Sequence, residues 1–425
     1  MTKNQMKVAQ TSKNFHIHAS SGKDDDSFVG IKAIGNDIYF FYPEAFSFDL
    51  NSEDWQKGVI AILSSIKIAK SLSSEKSSIY QRREKDNEFA LNSYLWIIYD
   101  YLQHGFYVNK EKVYKHNQNG KINWKRTFQT NPAISNNQNV VYLDTISEAK
   151  DPTDNLMVEI HKVCVKKSIL FIGWLFNLTA SYIKTHPFSK EKKHEYIIAL
   201  DEELEKTFDD EKKQRLIQME NVIKGLDSDD SNNNFVYGVD NYHYVFERMV
   251  DYVFNGKPNI SDFYPKGKWK LVKLPQPIDS SNLRPDTIVI VNKEKGKDLY
   301  ILDSKFYRFG ITGFVSDLPE TTSIQKQITY GEYIKKNIRI PFDHIYNAFI
   351  LPYNKNKGPY KSEDDLQYIG EAYSTWKDKN CNNGRIYAFL IDLKHLVSCW
   401  YKHNRSQDIG KLVSKINELV SSQED

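Results

Sequence analysis

Residues 283–305, LRPDTIVIVNKEKGKDLYILDSK, leave the chain few local folds. Two short apolar runs, 287–291 and 299–302, flank the polar stretch 292–298, in which Gly296 sits between Lys295 and Lys297. Apolar, β-branched runs of this length, joined by a charged connection with one glycine, predict a β-hairpin. Pro285-Asp286 opens the first strand and Asp303-Ser304-Lys305 closes the second. Pro is sterically tolerated at the first residue of a strand. Antiparallel pairing sets the start of one strand beside the end of the other, so two carboxylates and an ammonium should gather at one end of the hairpin.

Paired acids beside a lysine suit Mg²⁺-dependent phosphodiester chemistry. Hard cations take oxygen ligands, commonly one or two carboxylates plus phosphate oxygens. Such a metal acidifies and orients a water and stabilises charge at phosphorus. An adjacent lysine positions that water, helps deprotonate it, or stabilises the developing charge. On this reading Asp286 and Asp303 hold Mg²⁺, with Mn²⁺ as a substitute, and the Ser304 carbonyl is an extra ligand. Lys305 serves the water and the transition state. The competing reading is a pair of ordinary exposed strand ends. Against it, Asp303 directly follows the apolar Tyr300-Ile301-Leu302.

Pro285-Asp286 followed by Asp303-Ser304-Lys305 resembles the PD-(D/E)xK nuclease motif. The ordered series Asp303-Ser304-Lys305-Phe306-Tyr307, Leu318-Pro319, then Ser323-Ile324-Gln325-Lys326-Gln327 with Tyr330 is similar to the LlaJI family of restriction endonucleases, which is related to McrC-type nuclease subunits. The resemblance implies an α/β (α+β) fold: a C-terminal PD-(D/E)xK core with a mixed central sheet flanked by helices, behind an N-terminal β/α region. It implies double-stranded DNA as substrate, a separate McrB-like AAA+ GTPase as partner, and a cognate methyltransferase in the same system. Gly120-Lys121-Ile122-Asn123-Trp124-Lys125-Arg126-Thr127 is similar to a Gly-x-Ile-x-Trp-x-Arg-Thr segment upstream of the core in such proteins. Its spacing suggests a basic, aromatic turn-and-strand element. Trp124, Lys125 and Arg126 there suit DNA contact through charge and stacking, but a structural or partner-docking role suits them better.

The core so implied runs helix, β-meander, helix, strand, and the chain offers candidates. Residues 242–254 carry Val245, Phe246, Met249, Val250 and Val253 at helical spacing. Glu247 on that helix matches the acid such nucleases place before the first strand; it is a third metal ligand, a water-positioning acid, or a solvated helix acid beside Arg248. Residues 268–274 are a candidate first strand. Residues 321–336 read as a second helix, with Ile324, Ile328 and Tyr333 or Ile334 facing inward. Gln325, Lys326 and Gln327 in its first turns can reach DNA or the attacking water; as plain helix-surface residues they would be solvated. Residues 344–351 and 385–393 read as strands, 354–365 as a loop and 409–419 as an amphipathic helix.

Upstream, residues 1–27 are polar and lack a secretory apolar segment, which predicts a disordered tail. Residues 28–48 suggest one or two strands, 88–102 an apolar helix, 155–184 a helix and 190–224 a charged helix or helix pair. The apolar part of the third, 169–178, is too short to cross a bilayer. Residues 227–234 (DSDDSNNN) are the candidate linker, dividing an N-terminal recognition or docking region, 28–230, from a nuclease domain, 231–425.

The 425 residues suggest two or three domains. A net charge of +3, from 58 basic and 55 acidic residues, puts no chain-wide signature of DNA binding on the molecule, so any footprint is a local patch. Cys164, Cys381 and Cys399 form no CxxC pair, which points to a reducing cytoplasm. There is no HExxH and no GxxxxGK[ST] phosphate loop. Two other readings stay open: a non-catalytic DNA-binding or assembly subunit with a nuclease-like fold, and a repair or transposition nuclease.

Overall fold

The computed structural model describes residues 4–7, 14–22, 26–35, 37–48, 55–71, 88–107, 112–117, 121–136, 139–150, 156–226, 235–280, 283–338, 340–376, 384–405 and 407–424. The expected linker 227–234 and Cys381 lie outside them. The fold is mixed α/β, as expected.

The front of the chain builds a sheet from β1 (Asn4–Lys7), β2 (Asn14–Ser20), β3 (Val29–Ile34) and β4 (Asp37–Pro43). Strand β2 runs parallel to β4, and β3 returns antiparallel to it. The tail expectation therefore fails for 14–20. That strand alternates buried Phe15 and Ile17 with His16 and His18, whose rings stack on Tyr39 at 4.7 and 6.1 Å. Helices α1 (Trp55–Ser71) and α2 (Glu88–His104) pack on the apolar face.

A smaller module follows, made of β5 (Lys112–His116), β6 (Lys121–Ile122), α3 (Trp124–Thr130), β7 (Ile134–Asn136), β8 (Asn139–Val141) and β9 (Ile146–Lys150). Residues 124–127 are helical, which corrects the strand expectation. The Asn123 side chain accepts the Arg126 N–H at 3.1 Å and so caps the first turn. Thr127, fully buried, holds the helix to β9 by accepting the Ile146 N–H at 3.0 Å.

Helix α4 (Leu156–Ile172) ends twelve residues earlier than the 155–184 expectation. A Cβ on Gly173 would sit 2.7 Å from the Ile169 side chain, and Asn177 takes a left-handed φ of 53°. The charged segment forms a pair, α5 (Lys190–Lys206) and α6 (Asp210–Lys224), parted where Asp209 caps the second by accepting from Lys212 at 2.7 Å.

Past the expected boundary, β10 (Phe235–Val239) does not join the second half. It pairs antiparallel with β3 and completes the front sheet, in the order β1-β2-β4-β3-β10. Helix α7 (Tyr242–Val253) comes next. Residues 268–274 are not a core strand: Lys268–Trp269 (β11) pairs only with Ile278–Asp279 (β12) in an exposed hairpin. Lys268 and Lys270 charge one face of that segment and Lys273 interrupts the other after Trp269 and Leu271, so neither face is apolar along its whole length.

The second sheet has the order β13-β14-β15-β17-β16, from β13 (Thr287–Asn292), β14 (Lys297–Ser304), β15 (His344–Tyr353), β16 (Leu366–Tyr373) and β17 (Arg385–Asp392). The hairpin β13–β14 is antiparallel, while β14, β15 and β17 run parallel. Strand β14 is buried from Asp298 to Ser304; each fully buried aliphatic or aromatic side chain there, Leu302 included, stabilises the fold by roughly 1.5–3 kcal/mol. Short α8 (Phe309–Thr312) and then α9 (Thr321–Asn337) cross over to β15, and α10 (Leu393–Tyr401) and α11 (Asp408–Glu424) end the described chain. One hydrophobic core joins Phe15, Ile31 and Val59 of the front to Tyr242, Leu302 and Trp400 of the back. Among the described residues no helix is long and apolar enough to cross a membrane.

Candidate active site

The hairpin places the site. Thr287 stands opposite Leu302, so the same register carried one residue further sets Asp286 opposite Asp303 at the open end. The Ser304 N–H donates to Asp286 Oδ2 at 2.8 Å. Asp303 is 4% exposed, and the Lys305 ammonium lies 2.5 Å from its Oδ2. The Lys305 N–H extends the parallel ladder to the Ile350 carbonyl at 2.9 Å, which fixes the backbone where the lysine leaves the sheet. The two acids and the lysine expected at the strand tips are thus held together by backbone pairing.

Helix α7 brings a third carboxylate. Its inward stripe (Tyr242, Val245, Phe246, Met249, Val250, Val253) is buried, and Glu247 projects beside it, half-buried. Burial and the neighbouring Asp303 carboxylate push Glu247 up to about 7, against the pull of Lys305, Arg248 and Arg284. Asp286 is pushed well above the usual carboxylate range by burial and by Asp303 and Glu247. Burial works against the charge on Lys305, yet Asp303 and Asp286 more than offset it and hold the ammonium above its ordinary range. Three carboxyl groups thus share one ammonium in a poorly hydrated place. Burial is the larger cause of both acid shifts, and the like-charge repulsion that adds to it is what a divalent cation would relieve. The donors are all hard oxygens, so the set fits Mg²⁺ or Mn²⁺.

The other expected residues divide. Gln327 is fully buried and does not face solvent: its Nε2 donates to the Ile301 carbonyl at 2.8 Å and its Oε1 has no partner. It anchors α9 to β14 two residues before Asp303. Ser304 Oγ is likewise buried without a partner. Gln325 Nε2 donates to Ser374 Oγ at 3.0 Å, and Lys326 is exposed on the same helix. Trp124, Lys125 and Arg126 are not part of this cluster; they sit on α3 against β9, with the Arg126 guanidinium 3.8 Å from the centre of the Tyr114 ring.

Sequence reading gave no role at the site to three neighbours, of which Tyr330 entered only as part of the family series. Asp251, one turn beyond Glu247, accepts from Thr287 Oγ1 at 3.1 Å, and burial raises it above its usual range. The Tyr330 hydroxyl donates to the Arg284 carbonyl at 2.9 Å, and the Arg284 charge favours ionisation of both Glu247 and Asp251. The Glu247/Asp251 spacing of four on one helix was the available signal.

A second group sits in the front half. Among the described residues, Asp100, His104 and Glu211 have ligand atoms within 4.8 Å of one another. Arg215 forks onto both oxygens of Asp100 at 2.7 and 2.8 Å. With a guanidinium already on its buried acid, this group is an ion network.

Fold and site together define an α/β protein with an acidic, lysine-backed centre at one edge of a mixed sheet. The LlaJI restriction endonuclease family matches residues 28–370, and the chain belongs to that family. Among solved structures, the chain is similar to one in the refined half-complex from a tetradecameric assembly of Thermococcus gammatolerans McrB AAA+ hexamers with bound McrC, at 16% identity and a TM-score of 0.39, covering 88% of this chain and 81% of that one. It is also similar to a chain of the Thermococcus gammatolerans McrBC complex, at 14% identity and a TM-score of 0.24, covering 53% of this chain and 64% of that one. The comparison with curated proteins gives no match.

Proposed function

We propose that this chain is a restriction endonuclease subunit that hydrolyses phosphodiester bonds of double-stranded DNA with Mg²⁺, through a PD-(D/E)xK centre at the tips of β13 and β14. One observation carries the reading: Asp286, Asp303 and Lys305 converge there with Glu247 beside them, tied by the Ser304–Asp286 hydrogen bond and the Lys305–Asp303 ion pair. Asp286, Asp303 and the Ser304 carbonyl would hold the metal. When bound, Mg²⁺ supplies Lewis acidity toward the phosphate and a more acidic water. Lys305 holds its ammonium where negative charge grows on the phosphoryl oxygens. Glu247 orients the attacking water, and Gln327 fixes the strand that carries Asp303.

The proposed partner is a McrB-like AAA+ GTPase, following the resemblance; the sequence has no phosphate loop of its own. The docking face is the α3 module, where Trp124, Phe128, Val140 and Leu143 are 51%, 55%, 62% and 74% exposed beside Lys125 and Arg126. A cognate methyltransferase protects host DNA, and the site of action is the cytoplasm. The test is cleavage of duplex DNA in Mg²⁺ or Mn²⁺, with and without the GTPase. Asp303→Ala should abolish cutting, by ~10³-fold or more, with the fold intact by circular dichroism. Undiminished cutting by that variant sinks the assignment.

A further inference from the structure

Between Tyr264 and Arg284 the chain leaves the core and comes straight back to the site. The base of this arm is closed by the Leu283 N–H on the Pro265 carbonyl at 3.2 Å and the Ser280 N–H on the Gly267 carbonyl at 2.8 Å. Every residue from 266 to 279 is exposed. Five of them are large and apolar: Trp269 at 62%, Leu271 at 42%, Val272 at 105%, Leu274 at 45% and Ile278 at 46%. An exposed apolar cluster on one hairpin marks an interaction surface.

Charge selects the occupant. Lys266, Lys268, Lys270 and Lys273 face only Asp279 within 266–279, a surplus of three that equals the whole chain's +3. Lys268 pairs with Asp279 across the hairpin at 3.3 Å. Position argues the same way. Leu283 is three residues from Asp286, which limits the separation to about 11 Å. The arm also springs from Arg284, whose carbonyl is held by Tyr330 and whose side chain lies over the Tyr264 ring at 5.8 Å. A phosphate held at the strand tips therefore lies close to the base of this arm.

We propose that residues 265–280 form a duplex-DNA grip, in which the lysines neutralise phosphates flanking the scissile one and Trp269, Leu271 and Val272 press a wedge against sugar or base faces. Lysines supply sequence-independent affinity through counterion release. Apolar side chains entering a groove widen or kink it toward the cutting centre. The grip rests on the nuclease reading above and names how that site holds its substrate.

The test uses the full chain and a fluorescent duplex of mixed sequence, with binding read by anisotropy in Ca²⁺ across a salt series and cutting read in Mg²⁺. Lys266→Ala/Lys270→Ala/Lys273→Ala should flatten the slope of log affinity against log salt by roughly 2.7 and weaken binding more than tenfold at physiological salt. Trp269→Ala should weaken binding by about fivefold to a hundredfold with the slope unchanged. Circular dichroism should show both variants folded. Variants that bind like the parent overturn the grip, as does a parent that ignores the duplex at low salt. A change of sedimentation mass with DNA binding intact also overturns it and assigns the surface to a second copy. A parent that cuts while both arm variants bind and cut as it does removes the grip alone. A parent that binds through the arm yet cuts in neither Mg²⁺ nor Mn²⁺ removes the nuclease reading alone.

Discussion

The tips of β13 and β14 and the arm at 265–280 are near neighbours in the chain, yet they are opposites. The first is acidic and buried: Asp303 is 4% exposed, and burial and neighbouring charge raise both Asp286 and Glu247. The second is cationic and exposed throughout 266–279. A near-neutral chain thus hides two strong local fields of opposite sign. The acid centre suits a cation, whereas the arm suits a polyanion, so each can serve the same substrate only alongside the other. Low net charge does not argue against nucleic-acid binding when charge is segregated this way.

Experiments can break that contrast. The largest effect belongs to the buried side: Lys305→Ala should slow cutting ~10²–10³-fold while leaving metal binding measurable by calorimetry, because it removes charge stabilisation and keeps both acid ligands. If metal binding is lost instead, Lys305 organises the carboxylates and its role is structural. Gln327→Ala should cost about 1–3 kcal/mol in urea unfolding, since it strips a buried partner from the Ile301 carbonyl. Trp269→Ala should change stability by less than about 0.5 kcal/mol in the same assay, because its ring is 62% exposed. A large loss there would mean that the arm packs on the fold.

The smallest effect lies away from both regions. His395 is pushed up to about 10 by its hydrogen bonds to Asp408 and Cys399 against the cost of burial, and Asp365 also faces it at 3.4 Å. Lys355 and Lys411 pair with those acids. The folded state therefore holds the proton more tightly than the unfolded chain, whose imidazole titrates near 6.5. That stabilisation is complete below about pH 6.5 and fades as pH rises toward 10. Thermal melts of His395→Gln should show a flatter decline across that window than the parent.

The site was more legible than the fold around it. Residues 283–305 combine hairpin punctuation with acids at fixed strand ends, so register follows from pairing alone. The helix 242–253 was legible because its apolar stripe is clean. Polar-looking strands were not: β2 alternates Phe15 and Ile17 with histidines that gain their value from Tyr39 and Phe41. Strand β16 is half-exposed at a sheet edge, and its register shifts between Tyr368 and Gly370, which breaks the alternation. The segment 268–274 misled because Trp269 and Leu271 alternate as a core strand would, with nothing local to show that no sheet awaits them. Residues 124–127 hid a helix because the capping hydrogen bond of Asn123 outweighs the strand preference of its neighbours.

Strand β10 lies beyond 231 in sequence yet finishes the front sheet. Next to its last residue, Gly238 faces Gly30, where a Cβ on either residue would come within 2.3 Å of the opposite backbone. Exchange of front halves between related genes would therefore succeed at a crossover after residue 239 and fail at the polar run before it. The donor must bring both glycines, or the grafted edge cannot close.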